Sequence, residues 1–226
     1  MRLTHARLGK LSRIGLVLET TATSSSKAGE DDYLSGVDLF CLRYRNEFPT
    51  SLVITARALS KYYLLFRHLF RVKHAQTRLH RVWIMSKSRL VYLMSHVLQT
   101  FAHYVSFEVV EPHWRVFVAH IKSASRVDEI TLAQDLMLDS CLRESLLTSP
   151  RLIAGLNALL DRCSHFCKLV EQEEIGNPKD EGEVNLAGFR ADMKEFLASL
   201  IKEARSQGDV AMGNLARRMD WDGFFV

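Results

Sequence analysis

The chain has 226 residues, 47% of them hydrophobic, enough for a sizeable core that removes roughly 70% of the unfolded surface from water. Lys and Arg exceed Asp and Glu by 30 to 26, and the resulting net charge of +4 is too small to imply nucleic-acid binding by itself. No apolar run approaches the ~20 residues of a membrane span, the opening MRLTHARLGKLSRIG lacks a signal core, and the scattered cysteines form no disulfide framework, so a soluble, intracellular, reducing setting is expected.

Residues 12–20 (SRIGLVLET) and 37–48 (VDLFCLRYRNEF) are β-rich and flank a Ser-rich connector, Thr20 to Asp32, which predicts a two-stranded lead-in with a mobile loop over residues 1–48. Phe48-Pro49 ends it, because proline cannot donate to a ladder and holds the preceding residue extended. Thr55 is the expected N-cap of a long helix to about Met85, whose apolar stripe reads Leu59, Tyr62, Phe66, Leu69/Phe70, Val72, Leu79 and Val82/Trp83. A second helix is expected over about Ser88–Val110, with Leu90, Tyr92/Leu93, Val97/Leu98, Phe101 and Tyr104/Val105 inward. Pro112 is expected to open a third, continued by Trp114, Val116/Phe117 and His120/Ile121.

The fourth helix, about Val127–Leu147, starts with Asp128 and Glu129 at its favourable end for acids. Ser149-Pro150 starts a fifth to about Glu174, and the Gly- and Pro-broken EQEEIGNPKDEGE (171–183) reads as a surface loop. A sixth helix over about 185–206 and a short seventh over 210–219 complete the chain. The expected fold is all-α: a single helical-bundle domain of about seven helices over 49–226, behind the β lead-in.

Nucleotide-cradling glycine loops, zinc-protease helices and nucleophile elbows are absent from the sequence, so neither catalysis nor a small-molecule substrate or cofactor is expected. Cys163 and Cys167 share a helical face, but His165 between them points away and no second ligand pair completes a metal site. They read as core cysteines. His68, His74 and His80 recur every six residues, about 600° of helical rotation, and cannot ligate one ion. Trp83, Trp114 and Trp221 read as core residues.

The feature with a functional reading is the stretch from Phe48 to Phe107, which carries nine Lys/Arg, five His and no acid. Residues 51–107 sum to +9, whereas 128–183 holds twelve acids against five Lys/Arg. Ordinary exposed helices mix signs for i,i+4 support, so a block this long without an acid points to an acidic partner. Arg57, Lys61, Arg67, Arg71, Lys73 and Arg78 fall mostly off the apolar stripe and form the candidate positioning surface. Two alternatives stay open: nucleic-acid binding through the basic 57–89 surface, and a scaffold whose basic helix packs against a separate acidic domain or folds onto its own acidic half at 128–183.

RALSKYYLLFRHLFRVKHAQTRLHRVW (57–83), FEVVEPHW (107–114), HIKSASRVDEI (120–130), LDSCLRESLLTSP (138–150) and RMDWDGFF (218–225) together resemble the carboxy-terminal domain of the gamma-tubulin complex proteins, from about Leu11 onward. That resemblance implies a non-catalytic helical domain that binds one gamma-tubulin, stands beside other family members such as a component 3-type neighbour, and helps template microtubules at spindle poles and other organizing centres. The family's lateral contacts run chiefly through an amino-terminal helical domain. That domain has no counterpart in these residues, so ring assembly is not expected of this chain alone. The six cations are inferred from charge and are not family contacts.

Overall fold

A computed structural model describes residues 16–20, 40–85, 88–171, 180–220 and 223–225 of the chain. Two five-residue strands, β1 (Leu16–Thr20) and β2 (Phe40–Tyr44), run antiparallel with Leu18 opposite Leu42. Most of the expected lead-in and its connector lies outside the described residues, and the rest of the described chain is overwhelmingly helical. After a short 3-10 turn (Thr50–Leu52) come α1 (Ala56–Met85), α2 (Arg89–His103), a π-helical segment (Tyr104–Val110), α3 (Glu111–Ser123), α4 (Val127–Glu144), α5 (Pro150–Glu171), α6 (Asp180–Gln207) and α7 (Val210–Met219).

Local chemistry sets most of these boundaries. The Thr55 hydroxyl accepts the Ala58 N–H at 3.1 Å, so Thr55 caps α1 as its sequence position implies. Ser88 caps α2 in the same way, accepting from the Leu90 N–H at 3.2 Å. Pro150 occupies the first position of α5, where a missing N–H costs nothing. Asp209 caps α7 by accepting from the N–H groups of Ala211 and Met212, directly after Gly208 (φ 67) closes α6 with the Asp209 N–H on the Ala204 carbonyl.

Two boundaries differ from the sequence expectation. α6 starts at Asp180 rather than about Asn185, so part of the expected acidic loop is helical, while 172–179 lie outside the described residues. The break expected at Pro112 does not occur. α2, the π segment and α3 follow one another without interruption, so the described residues form six helical rods rather than about seven separate helices. The ladder has already slipped by one residue when it reaches Pro112, because the Glu111 N–H bonds to the Ser106 carbonyl five residues back. The slip buries Tyr104, Val105 and Val109 and leaves Phe107 64% exposed.

α4 closes with a leucine where glycine is usual. Leu146 adopts φ 66, with its N–H on the Arg143 carbonyl and the Leu147 N–H on that of Leu142. A left-handed residue with a Cβ costs roughly 1–2 kcal/mol, which the complete burial of the Leu146 side chain offsets.

The helices divide into two compact units, residues 1–68 with 115–139, and residues 69–114 with 140–226. The first buries Ala58, Leu65, Phe117, Met137 and Leu138. In the second, α5 packs on α6, α6 on α7 and α2 on both α6 and α7, around Met94, Phe101, Leu159, Phe196, Leu200 and Leu215. The chain end is held in that unit. Phe225 is buried edge-on to Phe189, and the Phe224 ring lies between the guanidinium groups of Arg89 at 4.7 Å and Arg190 at 4.1 Å.

Candidate interaction surface

α1 carries the six cations singled out in the sequence, and its buried stripe differs from the expected one. Ala58, Lys61 and Leu65 in the first unit, and Val72, Ala75, Leu79 and Val82 in the second, are buried, while Leu59, Tyr62, Phe66 and Phe70 lie half-buried along the stripe's edge. The buried face therefore includes one of the candidate cations.

In the first unit, Arg57 and Arg67 are exposed, whereas Lys61 is only 8% accessible. Its ammonium donates to the carboxylates of Asp135 at 3.0 Å and Asp139 at 2.8 Å, both from α4. Burial pulls the Lys61 pKa down, but the two carboxylates outweigh it and hold the group above the ordinary lysine value. The Tyr62 hydroxyl accepts from the Gln134 amide at 3.2 Å beside this cluster.

In the second unit, Arg71 donates to the Asn157 side-chain carbonyl at 2.8 Å and lies 3.7 Å from Asp161, while Arg78 donates to Glu171 at 2.7 Å. All three acceptors belong to α5. Lys73 is exposed and pairs with no carboxylate among the described residues.

Lys61, Arg71 and Arg78 are thus engaged with carboxylates of the same chain, contrary to the expectation that they face something outside it. The sequence could not reveal this, because the partners lie 74 to 93 residues away on helices whose rotation about their axes is set by packing. Arg57, Arg67 and Lys73 remain available to solvent.

Other readings divide in the same manner. Cys163 and Cys167 are buried core residues with Cys141, and burial pushes the Cys167 and Cys141 thiols up to about 11 and Cys163 higher. No metal-binding group occurs among the described residues. Trp83 and Trp114, expected in the core, are 36% and 46% exposed, and Tyr92, expected inward, is 55% exposed. Trp221 lies outside the described residues. The π slip explains Trp114, since it rotates every residue that follows it away from the stripe counted from α2.

On the π segment, Arg218 of α7 binds both carboxylate oxygens of Glu108, and the nearby His103 ring lies 3.7 Å from the same group. The Arg218 guanidinium holds the Glu108 carboxyl below the usual carboxylate range. His113 hydrogen-bonds Glu144 at 2.9 Å, and the Tyr104 hydroxyl donates to the Glu144 carbonyl at 3.2 Å. These contacts tie the end of the π segment to α7 and to the close of α4.

Residues 6–225 match the family model described as gamma tubulin complex component C-terminal. The chain belongs to this family. It is 32% identical over 155 residues to gamma-tubulin complex component 2 of Mus musculus, covering 62% of this chain and 17% of that protein. With component 2 of Arabidopsis thaliana it shares 33% identity over 159 residues, 64% of this chain and 24% of the relative. It is also 27% identical over 163 residues to the spindle pole body component alp4 of Schizosaccharomyces pombe, covering 63% of this chain and 21% of that protein. The chain therefore spans less than a quarter of the length of these relatives. The family is one of complex components rather than of enzymes.

Proposed function

We propose that this chain is a non-catalytic gamma-tubulin-binding scaffold element of a microtubule-nucleating complex, acting at minus ends in microtubule organizing centres such as the spindle pole. Gamma-tubulin is the direct partner, and other complex components, a component 3-type neighbour among them, stand beside it. Residues 49–226 form the binding domain in this reading, with 1–48 as its lead-in. The observation that carries the proposal is the family match over residues 6–225, a range that includes the acid-free stretch.

The exposed members of the cation set supply the contact's charge. Tubulins are acidic, so Arg57, Arg67 and Lys73 raise encounter rates and fix orientation, while exposed apolar groups near them supply affinity. Arg71 and Arg78 contribute less, being partly neutralised at home, and Lys61 contributes through the fold. Capture of purified gamma-tubulin by the immobilised chain at moderate salt tests the proposal. The variant R57E/R67E/K73E, with helical content unchanged, is expected to bind about ten-fold more weakly and with a flatter salt dependence. A folded wild-type chain that recovers no gamma-tubulin overturns the proposal, and undiminished binding by the triple variant moves the contact off α1.

A further inference from the structure

The two sides of α1 in the second unit differ electrically. Arg71 and Arg78 meet the carboxylates and amide of α5, whereas the opposite side faces α2, a helix with no acidic residue. Between α1 and α2 runs an open groove of about 490 Å³. Lys73 supplies its one fixed positive charge, His80 an imidazole, Trp83 and Tyr92 its aromatic faces, and Gln76, Ser95 and Gln99 further hydrogen-bonding groups, with no carboxylate in the lining.

The spacing shows that this is a built face rather than a chance dent. Lys73, Gln76, His80 and Trp83 recur at steps of three and four along α1, and Tyr92, Ser95 and Gln99 do so along α2, so each helix turns one full stripe toward the groove. That stripe is polar and aromatic where a packed helix pair would be aliphatic. Lys73, which makes no ion pair among the described residues, puts its charge on this groove beside two partly exposed aromatic rings of the kind that anchor interfaces.

We propose that this groove is a docking site for an acidic, extended polypeptide segment that also carries an apolar side chain. Carboxylates of the segment meet Lys73 and His80, its apolar side chain packs between Trp83 and Tyr92, and its backbone amides bond Gln76, Ser95 and Gln99. A volume of about 490 Å³ takes a few side chains and not a folded domain. A single lining lysine is too little for a nucleic-acid track, which needs a charge at nearly every phosphate.

The inference deepens the proposed function, since the segment would belong to the acidic partner, but it is tested with peptide alone. The probe is a fluorescein-labelled glutamate-rich dodecapeptide with a central phenylalanine, titrated by anisotropy into the full chain, with a glutamine-for-glutamate peptide as control. The glutamate peptide is expected to bind at least about ten-fold more tightly than the control and to change the wild-type tryptophan fluorescence. Lys73→Glu and Tyr92→Ala, both at exposed positions, are each expected to weaken it about ten-fold, while Lys202→Glu, the same charge change on exposed α6 surface, leaves it within about two-fold.

Equal losses from Lys73→Glu and Lys202→Glu overturn the groove in favour of diffuse attraction. Absence of binding by the wild-type chain overturns it outright, as does a single-stranded RNA that displaces the peptide and binds more tightly. A chain that captures gamma-tubulin but not peptide refutes the groove alone, and one that takes the peptide but not gamma-tubulin refutes the proposed function alone.

Discussion

Replacing Lys61 with methionine keeps most of the side chain's apolar bulk and removes the terminal ammonium with its charge and donors. The ammonium is 10% exposed at the side chain and binds two carboxylates, of which Asp135 is 30% and Asp139 57% exposed. Breaking a fully buried pair costs about 3–5 kcal/mol. Here the orphaned Asp139 returns largely to water, which discounts that range, while Asp135 stays partly desolvated beside a like charge. The expected loss is about 2 kcal/mol. In equilibrium urea unfolding followed by circular dichroism, this lowers the midpoint by about 1 M for an m-value near 2 kcal/mol/M. Asp139→Asn, at the more exposed partner, is expected to cost under about 1 kcal/mol.

The same site sets an alkaline signature. Lys61 has a folded pKa above its unfolded one, so its contribution is complete below the unfolded value of about 10.4 and is lost as pH rises through the higher folded value. Wild-type stability therefore falls more steeply than that of Lys61→Met above that pH. A Lys61→Met midpoint within experimental error of wild type, with the same alkaline limb, would show that the cluster is a solvated contact and that α1 does not bury a charge.

Three further expectations concern the second unit. Glu108→Gln removes the charge-assisted pair with Arg218 at a cost of about 1 kcal/mol, kept small because both groups are a third or more exposed. The Glu108 carboxyl is depressed, so its contribution is present above the usual carboxylate pKa and lost as pH falls through the lower folded value; the variant flattens that acid limb of a urea-midpoint series. Phe225→Ala empties a buried site against Phe189 and is expected to cost about 3 kcal/mol, against about 1 kcal/mol for Phe224→Ala, which loses its two guanidinium contacts; thermal melts that rank the two in reverse refute the assignment. Gly155→Ala would bring a Cβ to 2.9 Å from Cδ2 of the buried Phe196 ring, so it destabilises by about 1–2 kcal/mol in urea unfolding despite alanine's better helix propensity.

Caps and breakers made most of the helical architecture legible, because they act within a few residues of one another. Thr55, Ser88, Pro150 and Asp209 mark starts that the structure places within a residue or two of expectation. Pro112 misled for a reason that is also local in origin but not local in signature. A proline opens a helix or sits harmlessly beside a ladder that has already slipped, and only the hydrogen bond from Glu111 to Ser106 separates the two cases. The apolar stripe was misphased for a different reason. Tyr62 and Phe66 look like core residues by type, yet Ala58, Val72, Leu79 and Val82 hold the most buried positions of α1, and the alkyl stem of Lys61 shares that face. The groove between α1 and α2 had no sequence signature at all, because its two stripes belong to different helices and neither is apolar.

The charge pattern was legible as an asymmetry but not as a surface, and that distinction predicts two separable classes of variant. An acid-free basic stretch and an acid-rich stretch in one chain attract each other before they attract anything else. The ion pairs from Arg71 and Arg78 to α5, and from Lys61 to α4, are that attraction realised. Reversing Lys61 or Arg78 to glutamate therefore places like charges in contact and should lower the urea midpoint. Reversing Arg57, Arg67 or Lys73 removes a charge from solvent and should leave stability within about 0.5 kcal/mol of wild type. Partner binding should respond in the opposite order once each variant is compared at equal folded fraction. Five reversals that shift stability and binding in parallel would mean that the cations act as one undivided field. The division between internal pairs and outward charge would then have no functional weight.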